Sequence, residues 1–296
     1  MKILLDTGDL INLVEHNRPV NLSEFRDYLV AHDATIVLTF GNVRELAAPL
    51  AARIRHPDVD LLFQKVETLP ISYLGEVKLA ANEVRAAVSA FNSGAEYQPI
   101  DPYVSRWDET ISGSPSAASG KILGLNEIVL LVASQDSTSF AGFGNDEDQL
   151  RRQFENARLR PPSAQVPCKS FPNVVRHFIE YTGTEKPTCG IQAFARWVYD
   201  HPQRCPALRM GHDVFHHMLS NTKDIPHASD IPDWMHIKCT PYVDAITLDR
   251  RMYGYCSQVC QRIEKAHAFI DYSKRIFPNL EALVSSKPRH EPPASC

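Results

Sequence analysis

Two short apolar runs, each closed by an aspartate, stand at opposite ends of the chain and constrain its fold more than any other feature. Lys2-Ile3-Leu4-Leu5 runs directly into Asp6, and Tyr242 to Leu248 runs directly into Asp249. Short runs without polar alternation read as strands buried on both faces, as in a parallel sheet. Helical spacing follows each of them. Leu10, Ile11, Leu13 and Val14 share one side of a helical wheel after Asp6, and Tyr255 to Ala268 reads as a helix after Asp249. Asn21 to Ala31 predicts a second helix and Thr35 to Thr39 a second buried strand. Asn42 is expected to cap the next helix, through Val43, Leu46 and Leu50. The order β-α-α-β-α calls for parallel strands with crossover helices. Near the other end, Asp233 is expected to open a helix over Trp234 to Cys239, and a last short strand falls around Ile276 and Phe277.

From about His56 to Ser229 the character changes. Helical stretches (Glu76 to Phe91, Lys121 to Ala133, Asn145 to Leu159, Gln192 to Asp200, Gly211 to Leu219) alternate with loops rich in Pro, Ser and Gly, clearest at Ser112 to Gly120 and Arg160 to Pro172. No repeat and no strand is legible there. The expected organisation is one discontinuous α/β domain of residues 1–55 with 230–284, a helical insertion over 56–229, and a flexible tail over 285–296.

The 296 residues are 44% hydrophobic, ample for a buried core. With 22% charged residues and a net charge of −4, the chain is neither a disordered polyelectrolyte nor a strongly basic nucleic-acid binder. Local basic groups remain: Arg250, Arg251, Arg262, Lys265, Lys274 and Arg275, and Arg151, Arg152, Arg158 and Arg160. They read either as solvated helix faces or as a phosphate-binding rim, where Tyr242, Tyr253 and Tyr255 could stack on unpaired bases. The first residues lack a signal peptide's pattern, and Ile122 to Ala133 is too short for a bilayer and carries Asn126 and Glu127. Seven scattered cysteines, an odd number, suit reduced thiols. The expectation is a cytoplasmic protein without membrane contact.

Acids fall where an α/β sheet places its ligands, outside the carboxyl ends of the strands. Asp6 and Asp249 each follow a strand, Glu45 lies one helical turn past another, and Asp233 opens a helix with Asp230 one turn earlier on the same side. Carboxylates this close repel unless a cation or proton intervenes. Hard divalent cations take oxygen ligands, so Mg²⁺ or Mn²⁺ is the natural occupant, and in-line attack on a phosphodiester is the chemistry such a cluster serves. Each acid also has a plainer role: Asp6 as an N-cap, Glu45 on a solvated face, Asp233 favoured by the helix dipole, Asp249 in a turn. Asp244, at the opposite end of its strand, reads as structural. Cys256 with Cys260, and His212 with His216, have helical spacing that could make zinc ligands but is more usual in a core. His212-Asp213 lacks the other histidines of a phosphohydrolase pattern.

Leu4-Leu5-Asp6-Thr7, Asn42-Val43-Arg44-Glu45-Leu46, Asp233-Trp234-Met235-His236 and Thr247-Leu248-Asp249-Arg250-Arg251, in this order, resemble the motifs of PIN-domain nucleases. The resemblance covers the two chain ends. It implies a PIN-like three-layer α/β domain with a central parallel sheet, and metal-dependent cleavage of single-stranded RNA leaving a 5′-phosphate. Asp6, Glu45, Asp233 and Asp249 would be the metal acids, with Asp230 an alternative third. Thr7 and Thr247 would orient those acids or bind a phosphate, and Asn42, Arg250, Arg251 and His236 are further candidates for substrate contact. The segment between Glu45 and Asp233 is far longer than in that family. The expected function is a Mg²⁺- or Mn²⁺-dependent endoribonuclease, acting as a toxin, a defence effector or an RNA-processing enzyme. RNA is the expected substrate, an antitoxin or other regulatory protein the expected partner, and a homodimer a possible assembly. The alternatives are a catalytically silent PIN-like module that binds nucleic acid or protein, and a phosphohydrolase of a small phosphorylated molecule.

Overall fold

Strand β1 (Lys2–Leu4) pairs in parallel on both edges, with β2 (Thr35–Thr39) on one side and β5 (Ala245–Thr247) on the other. The computed structural model describes residues 1–13, 18–51, 59–107, 109, 123–134, 167–224 and 230–286, with isolated positions at 152, 155, 156 and 159. Register sorts the side chains by face. Ile3 lies beside Ile36 and Ala245, Leu4 beside Val37 and Ile246, and the two rows enter separate cores. Strand β3 (Ile71–Leu74) extends the sheet in parallel from β2, β4 (Tyr103–Val104) closes that edge antiparallel, and β6 (Ile276–Phe277) runs parallel to β5. The order β4-β3-β2-β1-β5-β6 makes a mixed, mostly parallel sheet. The chain moves outward through β1, β2 and β3 and then returns to the far side of β1, so a topological switch point lies between β1 and β5.

Two of these strands correct the expectation for residues 56–229, where none was foreseen. Ile71-Ser72-Tyr73-Leu74 follows Pro70 and is only half-buried at its first three positions, so its pattern is neither continuously apolar nor cleanly alternating. The twelve described α-helices are α1 (Thr7–Asn12), α2 (Leu22–Ala31), α3 (Phe40–Ala51), α4 (Val59–Val66), α5 (Leu79–Ser93), α6 (Leu125–Ser134), α7 (Phe171–Thr182), α8 (Ile191–Tyr199), α9 (Pro206–Ser220), α10 (Asp230–Ile237), α11 (Arg250–Ala266) and α12 (Leu280–Ser285). Helix α7 was hidden by Pro172, which reads as a breaker. It sits in the first turn, where a missing N–H costs nothing. The helix expected over Asn145 to Leu159 and the tail beyond Ser286 lie outside the described residues, apart from the isolated positions.

Helices cover both faces of the sheet. On one face Leu10, Phe25, Leu29, Val43, Phe63 and Val129 pack against Ile3, Leu5, Ile36 and Leu38. On the other, Met210, Val214, Ile237, Met252 and Val259 pack against Leu4, Val37, Leu74 and Ile246. A third core lies away from the sheet, among Val84 and Ala87 of α5, Phe171 and Val175 of α7, Phe194 and Val198 of α8, and Leu208 of α9. No helix among the described residues is long and apolar enough to cross a membrane.

One buried acid ties this third core to the sheet. The side chain of Cys205 does not cap α9. Glu83, fully buried on α5, does so instead, accepting from the Ala207 and Leu208 N–H groups at 2.8 and 2.9 Å and from the Tyr242 hydroxyl at 2.6 Å. Burial pushes its carboxyl up to about 7, against the pull of these three donors. Glu83→Ala strands two helix N–H groups and a buried hydroxyl, so urea unfolding should show a loss of about 2–4 kcal/mol. Glu83→Gln should lose less, since its amide oxygen still accepts. Unchanged stability in the alanine variant would contradict this role.

Candidate metal centre

The carboxyl ends of β1 and β5 place two acids at the switch point. Asp6 is the N-cap of α1, accepting from the Gly8 N–H at 3.2 Å, and Asp249 is the N-cap of α11, accepting from the Met252 N–H at 2.6 Å. Each bond occupies one lone pair of a carboxylate that has about four, so capping and ligation are compatible. The two strand ends are joined directly. The backbone N–H of Asp6 donates to the Thr247 hydroxyl at 2.9 Å, across 241 positions of sequence.

The third acid comes from α3, and its support corrects one expectation. Asn42 is not the N-cap. Helix α3 starts at Phe40, Thr39 is the cap, and Asn42 answers it reciprocally: the Thr39 N–H donates to Asn42 Oδ1 at 3.1 Å, and the Asn42 N–H to Thr39 Oγ1 at 3.3 Å. The Asn42 amide donates to the Leu5 carbonyl at 3.0 Å and to the Thr7 hydroxyl at 3.1 Å, and that hydroxyl donates to the Glu45 carboxylate. Fully buried, Asn42 is a scaffold residue rather than a substrate contact.

Asp233 completes the cluster from the first turn of α10. Burial pushes its carboxyl up to about 7, with repulsion from Asp249, Asp6 and Glu45 adding to the rise and His236 opposing it. Burial likewise pushes Asp6 up to about 6, Glu45 and Asp9 adding repulsion and His236 again opposing. The four acids therefore share one electrostatic field. Asp230, the alternative third acid, is turned away into an ion pair with both terminal nitrogens of Arg251. Arg251 also grips Asp224, with Nε at 3.0 Å and Nη2 at 2.7 Å, so its guanidinium is held by carboxylates rather than presented to a phosphate. Arg250 stands exposed beside Asp249. Asp244 accepts from the Lys2 N–H at 2.6 Å at the far end of the sheet, a structural contact.

Two further polar groups border the cluster. His236 is 2% exposed and its Nε2 has no hydrogen-bond partner, and Glu76 is 0% exposed with Oε2 likewise unpartnered. They meet around the backbone of Gly41, whose N–H donates to Glu76 Oε1 at 2.6 Å. A Cβ at Gly41 would lie 2.7 Å from His236 Nε2 and 3.1 Å from Glu76 Oε1, so the close approach requires glycine. Glu76 was not foreseen, although an acid just past a strand end is the signal that flagged Asp6 and Asp249. Strand β3, not Glu76, was the missing observation.

As the side chains stand, no three His, Cys, Asp or Glu among the described residues are arranged to hold a metal ion. The acids turn instead to donors of their own chain: Thr7, Gly8 and Met252. Their chemistry nonetheless fits a hard divalent cation, being rich in carboxylate oxygen, mutually repulsive and bordered by an unpartnered buried imidazole. The Cys256 and Cys260 sulfurs lie 3.9 Å apart in the core, and His212 is bonded to Ser170 and Asp213. No family model, curated protein or solved structure matches the chain.

Asp6 and Asp233 titrate above their ordinary value of 3.8, so the folded chain keeps protons that the unfolded chain has released. Their contribution to stability is full below about pH 4 and falls as pH rises through 6 and 7. In EDTA at about pH 8, Asp6→Asn and Asp233→Asn should therefore melt higher than wild type, and the gap should close by about pH 4. Lower melting of both variants at the higher pH would refute the crowding. Gly41→Ala should displace His236 and lower stability by about 1–3 kcal/mol in a chemical denaturation series; a neutral result would show that the approach is loose.

Proposed function

We propose that the chain is a Mg²⁺- or Mn²⁺-dependent endoribonuclease of the PIN-like class, hydrolysing phosphodiester bonds of single-stranded RNA. One observation carries this: four acids from four separate elements, Asp6, Glu45, Asp233 and Asp249, share one field at the switch point of the sheet. The parallel strand order β3-β2-β1-β5-β6, with acids at the carboxyl ends of β1 and β5, supports a PIN-like domain within the broader α/β fold.

These four carboxylates would hold the cation, which when bound neutralises charge at the phosphate and lowers the pKa of water. The chain's own residues do the positioning. Thr7 aims Glu45, Asn42 aims Thr7, and the Thr247 hydroxyl fixes the backbone from which Asp6 projects. His236 offsets part of the negative field at Asp6 and Asp233. Arg250, exposed beside Asp249, would meet a phosphate from solvent. Hydrolysis leaving a 5′-phosphate puts the oxygen of water on phosphorus and returns a proton to the departing 3′-oxygen. Within residues 56–229, the described helices α5, α7, α8 and α9 share a core away from the sheet, and theirs is the surface we assign to RNA selection or to a regulatory, antitoxin-like protein. The buried thiols of Cys205, Cys239, Cys256 and Cys260 suit a reducing cytoplasm.

A silent binding module is the second reading, favoured by the engagement of the acids with donors of their own chain. Incubation of single-stranded RNA with Mn²⁺ separates the two. Wild type should cleave only with the cation. Asp6→Asn and Asp249→Asn should each lose at least about 100-fold, since even outer-shell partners of a metal site are worth roughly 10–100-fold. Asp230→Asn should keep metal-dependent cleavage while losing stability, because its partner is Arg251. Binding without cleavage by every protein would favour the silent module, and hydrolysis of p-nitrophenyl phosphate without RNA cleavage would favour a small-molecule phosphohydrolase.

A further inference from the structure

Away from the acidic cluster, where α7 meets α9, three side chains form a hydrogen-bonded relay in the order hydroxyl, imidazole, carboxylate. Ser170 Oγ lies 3.0 Å from His212 Nε2, and His212 Nδ1 lies 2.9 Å from Asp213 Oδ1. The serine occupies the N-cap of α7 yet makes no capping bond, although serine at that position ordinarily accepts from the helix. Its hydroxyl is shared between His212 and the Pro167 carbonyl at 3.1 Å. Exposure falls along the relay: Ser170 is half-buried beside the exposed Cys168 and Lys169, His212 is 8% exposed and Asp213 0%. The carboxylate is fixed on both oxygens, Oδ2 by Arg209 Nε at 2.9 Å and Oδ1 by the Tyr199 hydroxyl at 3.4 Å as well as by His212. Burial alone would raise its pKa, but the bond from His212 and the charge of Arg209 hold it below the ordinary value. It is therefore an ionised acceptor for a proton on His212 Nδ1, and the other ring nitrogen, Nε2, faces the Ser170 hydroxyl. The rings of Phe171 and Tyr199 stand edge-on to the imidazole, with centroids at 5.0 and 6.5 Å, and limit its rotation.

We propose that Ser170, His212 and Asp213 form a second reactive centre, a serine nucleophile that hydrolyses short-chain carboxylic esters presented from solvent. Ser170 Oγ bonds to the carbonyl carbon as its proton passes to His212 Nε2. The carbon–oxygen bond to the alcohol breaks, and the alcohol leaves with that proton. Water then gives a proton to His212 and its oxygen to the acyl carbon, and the acid leaves as Ser170 regains its hydrogen. Asp213 touches no substrate and acts by positioning His212. Nothing here depends on the metal centre.

The test uses the full chain in EDTA, treated with a fluorophosphonate probe, digested and mapped by mass spectrometry, beside p-nitrophenyl acetate hydrolysis. An adduct should form on Ser170 in the folded protein and disappear when the protein is unfolded before labelling. Ester turnover should drop about 100-fold in Ser170→Ala and in His212→Gln. An unmodified Ser170 in the folded wild type, or wild-type turnover by a folded Ser170→Ala, overturns the proposal and leaves the relay as a tie between two helices.

Discussion

The candidate site at the carboxyl ends of the strands depends on a strand of three residues being paired on both sides. The hydrogen bonds of β1 to β2 and β5 bring the amino-terminal residues between elements that lie far apart in sequence. The Asp6–Thr247 contact is the last rung of that pairing, made by a side chain because the ladder has ended. A slip of one residue would exchange the faces of Ile3, Leu4 and Leu5, putting each row of side chains in the wrong core. Apolar side chains on both faces thus set the register, and the register sets where Asp6 points.

The same crowding that suits the cluster to a cation works against the fold. Burial and mutual repulsion both favour the protonated acids Asp6 and Asp233. The chain opposes this with a scaffold of neutral donors, in which a buried asparagine orders a threonine that orders a glutamate. On the other side Gly41 lets His236 and Glu76 approach more closely than any side chain would permit. The charge that would attract a cation is thus the charge that weakens the metal-free fold.

Strands β1, β2, β5 and β6 were legible because their short apolar runs leave little alternative, and Asp6, Glu45, Asp233 and Asp249 followed from them. Asp230 could not be separated from Asp233 by spacing, since both lie on one side of a helix. What distinguishes them is a contact from another element, the ion pair of Asp230 with Arg251. Strand β3 was hidden by Ser72 and Tyr73 at half-buried positions, and Glu76 was hidden with it. Helix α7 was obscured by the proline in its first turn, and with it the partner of His212. The His212-Asp213 pair was visible in sequence, but Ser170 lies 42 positions away and meets it only through helix packing. Local chemistry was readable wherever a backbone pattern fixed it, and unreadable wherever a long-range contact chose among equals.

On the proposed function, the four acids at the switch point close on a divalent cation. Crystals grown with Mn²⁺ and recorded near its absorption edge test this directly. An anomalous peak should lie about 2 Å from carboxylate oxygens of Asp6 and at least two of Glu45, Asp233 and Asp249, with Asp230 still paired to Arg251. A map without a peak there, with Glu45 still held by Thr7 and Asp249 by the Met252 N–H, would contradict it.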